Sequence, residues 1–223
     1  MNAIDEAPVV HLIDDDDAVR NSICMSLIVE GFSVKEYTSA ISFLENYHNQ
    51  PGCVVVDIQM PKMDGLEMQR QLNQNNIKIP LIFITGHGNI PLSVKAMKSG
   101  AIDFIEKPFA KKTLLNSIRT ALNIDSNHRQ ANKSLLEIQN RYNCLTSREK
   151  EVLEMLVKNH SRLTNKEIAE TLGISKRTIE VHRSSIMAKM LAQTRAELAE
   201  LYRFCTTIEE SDEISYKLTG ANL

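Results

Sequence analysis

The stretch Cys53-Val54-Val55-Val56-Asp57-Ile58-Gln59-Met60-Pro61-Lys62-Met63-Asp64-Gly65 decides how this chain folds. Three β-branched apolar residues follow one another, which predicts a strand buried on both faces, as in a parallel sheet covered by helices. The run ends on Asp57, and the pairs Met60-Pro61 and Asp64-Gly65 after it are turn signals. A carboxylate therefore stands at the C-terminal end of a buried strand, the edge at which open α/β sheets bind ligands. One carboxylate alone there reads most simply as a helix cap or a solvated strand end. A functional reading needs other charged groups at the same edge.

Working outward, the pattern repeats. Val9 to Ile13 is a buried strand candidate that runs into Asp14-Asp15-Asp16-Asp17. Ala18 to Glu30 reads as a helix with Val19, Ile23 and Leu27 on one face. Phe32 to Tyr37 is a second strand, and Ser39 caps a second helix. The Asp57 strand is the third, followed by a helix over Leu66 to Asn75. Ile79 to Ile84 is the fourth strand, ending at Thr85. Pro91 suits the first turn of a helix that runs to Ser99. Ala101 to Glu106 is the fifth strand, closed by Lys107-Pro108, and a fifth helix starts near Lys111. Five strands alternating with five helices predict a doubly wound, flavodoxin-like α/β domain with a five-stranded parallel sheet. Asp14 and Asp15, Asp57, Thr85 and Lys107 then stand at the ends of four of its strands.

That set has a readable chemistry. Clustered carboxylates repel and raise one another's pKa, and a divalent cation removes the conflict. An all-oxygen site with few protein ligands suits Mg²⁺, with Mn²⁺ as a substitute. A carboxylate beside such a cation and a lysine can act as a nucleophile toward phosphorus. Lys107 would offset charge on the phosphoryl oxygens, and the Thr85 hydroxyl would donate a hydrogen bond to one. The Gly86-His87-Gly88 segment lacks the spacing of a nucleotide-binding loop, and His87 reads as a surface residue.

On these residues, roughly the first 120 resemble the receiver domain of bacterial two-component response regulators. The resemblance implies that Asp57 accepts a phosphoryl group from a sensor histidine kinase. It implies a metal set of Asp14, Asp15, Asp57 and Gln59, with Asp15 direct, Asp14 largely through water, and Gln59 through its backbone carbonyl. It also implies a switch through Thr85 and Phe104, and a cis Lys107-Pro108 bond.

Charge divides the chain. Residues 1–120 carry 11 Lys/Arg and 14 Asp/Glu, whereas residues 144–205 carry 11 and 8. The acidic part suggests a cation site and the basic part an anionic partner. Four widely spaced cysteines fit a reducing compartment. No apolar run reaches the length of a membrane span, and the charged first residues do not read as a signal peptide, so the expected location is the cytoplasm.

The readings give a domain over 1–122, a polar helical linker over 123–142, an all-α four-helix domain over 143–205 and a frayed acidic tail over 206–223. A flexible linker is the alternative. Thr146-x-x-Glu149 and Thr164-x-x-Glu167 are capping boxes that open two helices. Gly173 ends the second, and Ser175 caps a third over Lys176 to Met190; this is a helix-turn-helix spacing. Thr194 opens a fourth. A plain four-helix bundle would not need the third helix to display Arg177, Glu180, Val181, Ser184 and Ser185 on one side.

Leu145-Thr-x-Arg-Glu, Asn165-Lys-Glu-Ile-Ala and Arg177-Thr-Ile-Glu-Val-His-Arg resemble the LuxR-type DNA-binding domain, and the whole chain resembles the FixJ/NarL group. The resemblance implies that Glu180, Val181 and Ser184 face base edges in duplex promoter DNA. Lys166, Thr178, Arg183 and Lys189 are candidates for phosphate contact. RNA polymerase is an expected further partner.

The expected mechanism is phosphorylation, homodimerisation and DNA binding, with a dimer face running from Val94 and Lys95 to Ile105 and the surface of the first and fifth helices as the runner-up. Release of an inhibited DNA-binding domain without receiver dimerisation is the alternative. A metal-dependent phosphatase would need a carboxylate where Gln59 stands, so no turnover of external substrates is expected. An RNA-binding or protein-only output would not need the helix-turn-helix spacing.

Overall fold

The computed structural model describes residues 7–86, 90–158 and 163–206. The expectations for His87 and for the tail beyond 206 lie outside the described residues. The chain divides into two compact units, residues 1–130 and 131–223.

In the first unit, strands β1 (Val9–Ile13), β2 (Ser33–Tyr37), β3 (Gly52–Asp57), β4 (Leu81–Thr85) and β5 (Asp103–Glu106) alternate with helices α1 (Asp17–Val29), α2 (Ala40–Asn46), α3 (Gly65–Gln74) and α4 (Ile90–Lys98). The sheet is parallel throughout, in the order β2-β1-β3-β4-β5. All six residues of β3 are buried, as a central strand covered on both faces requires. Val54 and Val56 join Phe43, Met68, Leu72 and Phe83 in the core on one face. Cys53 and Val55 join Leu12, Leu27, Ile82 and Ile118 on the other.

Two strands are shorter than their apolar runs suggest. Pro80 has no N–H to give a ladder, so β4 begins at Leu81. Gly100 takes φ +94° in a turn, and β5 starts only at Asp103. Register then aligns the strand ends. Ile13 pairs with Val56, Asp57 with Ile84, and Thr85 with Glu106. Asp14 and Lys107 are each the next residue along.

Helix α5 (Lys111–Asn143) is continuous over 33 residues, so the polar stretch read as a linker is helical. In the second unit, Tyr142 and Leu145 at and just beyond its end join the core formed by α6 (Ser147–Lys158), α7 (Asn165–Leu172), α8 (Lys176–Met190) and a helix over 195–206, here α9. Gly173, at φ +65°, is the left-handed cap that ends α7, and Ser175 caps α8 two residues later. No described helix is long and apolar enough to cross a membrane.

Candidate functional site

Three of the expected groups meet at the C-terminal edge of the sheet. Lys107 Nζ donates to Asp14 Oδ2 at 2.8 Å and to Asp57 Oδ2 at 2.6 Å. Both carboxylates are buried, at 1 % and 8 % exposure, so their negative charge needs a partner. Burial alone would push the Lys107 ammonium down; the hydrogen bonds and charges of Asp14 and Asp57 outweigh it and hold the group above the usual lysine range. The remaining oxygens are oriented by backbone. Asp57 Oδ1 accepts the Gln59 N–H and Asp14 Oδ1 accepts the Asp16 N–H, each at 2.9 Å. Thr85 is fully buried beside them, and its carbonyl accepts the Lys107 N–H at 2.7 Å. The Lys107-Pro108 bond is cis.

The acidic run divides its labour in a way the sequence did not reveal. Asp14 is buried against Lys107, Asp15 is exposed, Asp16 is the N-cap of α1, and Asp17 begins the helix and pairs with Arg20. Of the expected metal set, Asp14 and Asp57 meet at Lys107 while Asp15, next in the chain, is exposed, and among the described residues no three His, Cys, Asp or Glu side chains stand grouped close together. Three like charges would repel, and the Lys107 ammonium already stands between two of them. The donors still fit a hard cation. Mg²⁺ keeps most of its waters and needs only one or two carboxylates, which Asp14 and Asp57 supply with converging hard oxygens.

Gly65 shapes the site in a way its reading as a turn signal missed. It is the first residue of α3, and its N–H donates to the Ile58 carbonyl at 3.0 Å. A Cβ there would stand 2.7 Å from the Asp57 carbonyl oxygen and 3.0 Å from a Phe83 ring carbon. Phe104 is half-buried against the same core and pairs in register with Phe83.

The second unit presents α8. Ile179, Ile186 and Met190 face inward, while Arg177, Glu180, Val181, Arg183 and Ser184 are exposed. Positions 177, 180, 181 and 184 form one stripe at helical spacing, opposite the buried one. Val181, at 62 % exposure, puts an apolar side chain in that polar stripe. Lys166 is exposed and loosely paired with Glu170 at 3.9 Å. Thr178 is half-buried, and its hydroxyl is 2.8 Å from that of the cap Ser175.

Lys189 departs from the expected list of phosphate contacts. Its ammonium is 2.7 Å from Glu149 Oε2, and Glu149 is buried at the first turn of α6. Ser185, expected on the exposed side, is half-buried and donates to the other oxygen at 2.6 Å, and Thr146 completes the capping box. Burial pushes the Glu149 carboxyl upward, but the hydrogen bonds from Lys189, Ser185 and Thr146 win and bring it to about 2. Lys189 is a staple between α6 and α8, because moving its charge to a DNA phosphate would leave a buried carboxylate unpaired.

Comparison with known proteins agrees with this geometry. Residues 10–119 match the response regulator receiver domain, and residues 143–202 match the bacterial regulatory proteins of the luxR family. The chain is 42 % identical over 197 residues to the transcriptional regulatory protein FixJ of Azorhizobium caulinodans, covering 88 % of this chain and 92 % of that one. The chain belongs to the FixJ/NarL response regulators. It is 39 % identical over 198 residues to the response regulator protein TodT of Pseudomonas putida, covering 88 % of this chain and 86 % of that one. Among solved structures, that of the response regulator StyR superposes with a TM-score of 0.80 at 40 % identity, covering 88 % of this chain and 98 % of that chain. As a member of the family the chain pairs a receiver, whose upstream partner is a histidine kinase, with a DNA-binding output, and it regulates transcription. Receiver domains of this family generally bind Mg²⁺ for phosphorylation.

Proposed function

We propose that Asp57 is the phospho-acceptor, that the Asp14–Asp57 pocket takes Mg²⁺ with Asp15 and the Gln59 carbonyl as further ligands, and that phosphorylation drives dimerisation and promoter binding in the cytoplasm. One observation carries the reading: a single lysine ammonium bridges two buried carboxylates at the strand ends. A pocket that already balances negative charge with Lys107 can accept more negative charge by re-partnering that lysine.

In the transfer step, an Asp57 carboxylate oxygen bonds to phosphorus as the bond from phosphorus to the donor nitrogen of a phosphohistidine, or to the donor oxygen of an acyl phosphate, breaks. The leaving group keeps that electron pair. Bound Mg²⁺ supplies charge neutralisation for the phosphoryl oxygens. Lys107 turns from the Asp57 carboxylate to a phosphoryl oxygen, and the Thr85 hydroxyl donates to another. Turning the Thr85 hydroxyl toward the phosphoryl group frees space that Phe104 fills, which is the route to the surface of α4 and β5.

Gln59 offers an exposed amide and no carboxylate beside Asp57, so nothing there activates water for rapid turnover. The protein therefore phosphorylates itself and hydrolyses that bond slowly, with no external substrate. On the output side, Glu180, Val181 and Ser184 read base edges, Arg177 contacts the DNA beside them, and Lys166, Thr178 and Arg183 hold phosphates. RNA polymerase is the proposed target of the DNA-bound form. Incubation with a small acyl phosphate and Mg²⁺ should label wild type at one residue and leave Asp57→Asn unlabelled. Persistent labelling of the variant elsewhere sinks the assignment.

A further inference from the structure

Arg20 is charged, belongs to α1, and is only 8 % exposed. A buried guanidinium stays charged and so needs partners. All of its polar contacts surround the acidic turn. Nη1 donates to the Asp14 backbone carbonyl at 2.8 Å, Nη2 pairs with Asp17, and Nε lies 3.6 Å from the Glu36 carboxylate on β2. The Arg20 N–H also donates to the Asp16 carbonyl at 2.9 Å. One planar fork thus ties an edge strand and the first turn of α1 to the peptide linking Asp14 to Asp15.

We propose that Arg20 is a positioning residue for the divalent cation. Its guanidinium holds the Asp14–Asp15 peptide in the orientation from which both carboxylates serve the metal. This rests on the Mg²⁺ reading above. Charge and geometry make opposite demands, which makes the idea testable. As a mere cation, Arg20 would repel Mg²⁺, so removing it would tighten binding. As a clamp, its loss should weaken binding, as the loss of groups that orient metal ligands does. Lysine keeps the charge but is a point donor and cannot span the three acceptors.

The test titrates Mg²⁺ into the full chain by calorimetry for wild type, Arg20→Lys, Arg20→Gln and Glu36→Gln, with a thermal melt of each. Both Arg20 variants should lose about tenfold in Mg²⁺ affinity. Their Asp57 phosphorylation should recover at saturating Mg²⁺, the loss lying in the Mg²⁺ dependence and not in the limiting rate. Glu36→Gln leaves the Asp14 carbonyl bond intact and should lower the melting temperature while keeping Mg²⁺ affinity. Unchanged affinity in Arg20→Lys, or tighter binding in Arg20→Gln, overturns the proposal while the Mg²⁺ site stands. Wild type without saturable Mg²⁺ binding overturns the Mg²⁺ reading itself, and the proposal with it.

Discussion

Four identical aspartates in a row do four different things here, because their neighbours differ. Burial and Lys107 fix Asp14, solvent keeps Asp15, the helix start uses Asp16, and Arg20 takes Asp17. Residue type chose the chemistry, and position chose the task. The same lesson holds for Gly65, whose φ is ordinary but whose missing side chain lets α3 begin against the Asp57 backbone. Gly65→Ala should force α3 away from β3 and cost roughly 1–3 kcal/mol, as overpacking does. The shift also reaches the carbonyl of Asp57 itself. A thermal melt should show the loss, and Asp57 labelling should slow at every Mg²⁺ concentration. Unchanged rates in a folded variant would show that the close approach serves packing alone.

At the scale of elements, the buried polar contacts are where pattern reading stops. The α/β alternation, the strand ends and the helix-turn-helix spacing were legible because apolar periodicity and Gly, Pro and capping residues mark them locally. The stretch around Asp125 was not, because its partners are far away in sequence. Asp125 is 3 % exposed, and its Oδ2 accepts from the Gly52 N–H at 2.9 Å and from Arg129 Nε at 2.8 Å. Arg129 then donates to the Asn49 and Gln50 carbonyls. The i,i+4 spacing of Asp125 and Arg129 was the one local hint. Residues read as linker are strapped to the start of β3. Asp125→Ala would leave a buried N–H and a guanidinium short of partners, and should destabilise the receiver by about 2–4 kcal/mol in a denaturant melt.

The Glu149 staple is a second such element. Its folded pKa, about 2, lies below the ordinary value of 4.5, so the folded state favours the charged form. That stability is fully present above pH 4.5 and is lost as pH falls toward 2. It amounts to about 3 kcal/mol. An acid melt of the second unit should be flatter over that range in Glu149→Gln than in wild type. Lys189→Ala should lower stability at neutral pH, with little change in the salt dependence of DNA binding by the molecules that remain folded.

For the whole molecule, the question is how charge added at Asp57 changes DNA binding. One helix-turn-helix offers a single stripe of proposed readers, Glu180, Val181 and Ser184, and few phosphate contacts, so one copy should bind weakly. Two copies on a symmetric site gain from effective concentration without any new contact to DNA. The receiver needs a surface for this. Val94 and Met97 on α4 are 44 % and 46 % exposed, apolar side chains beside the exposed Lys95. Ile105, expected in the same face, is 5 % exposed and belongs to the core, so the proposed face narrows to α4 and the outward side of β5. A beryllofluoride mimic should dimerise the full chain in sedimentation, and Val94→Asp should keep it monomeric. Dimers should protect a pseudo-palindrome with half-sites about one helical turn apart. Glu180→Ala should then relax base preference at one position per half-site by roughly 1–3 kcal/mol. Arg183→Ala should weaken all sequences alike and flatten the salt slope by about one unit. If the mimic raises DNA affinity while the protein stays monomeric, dimerisation is not the switch, and release of an inhibited DNA-binding domain explains the gain.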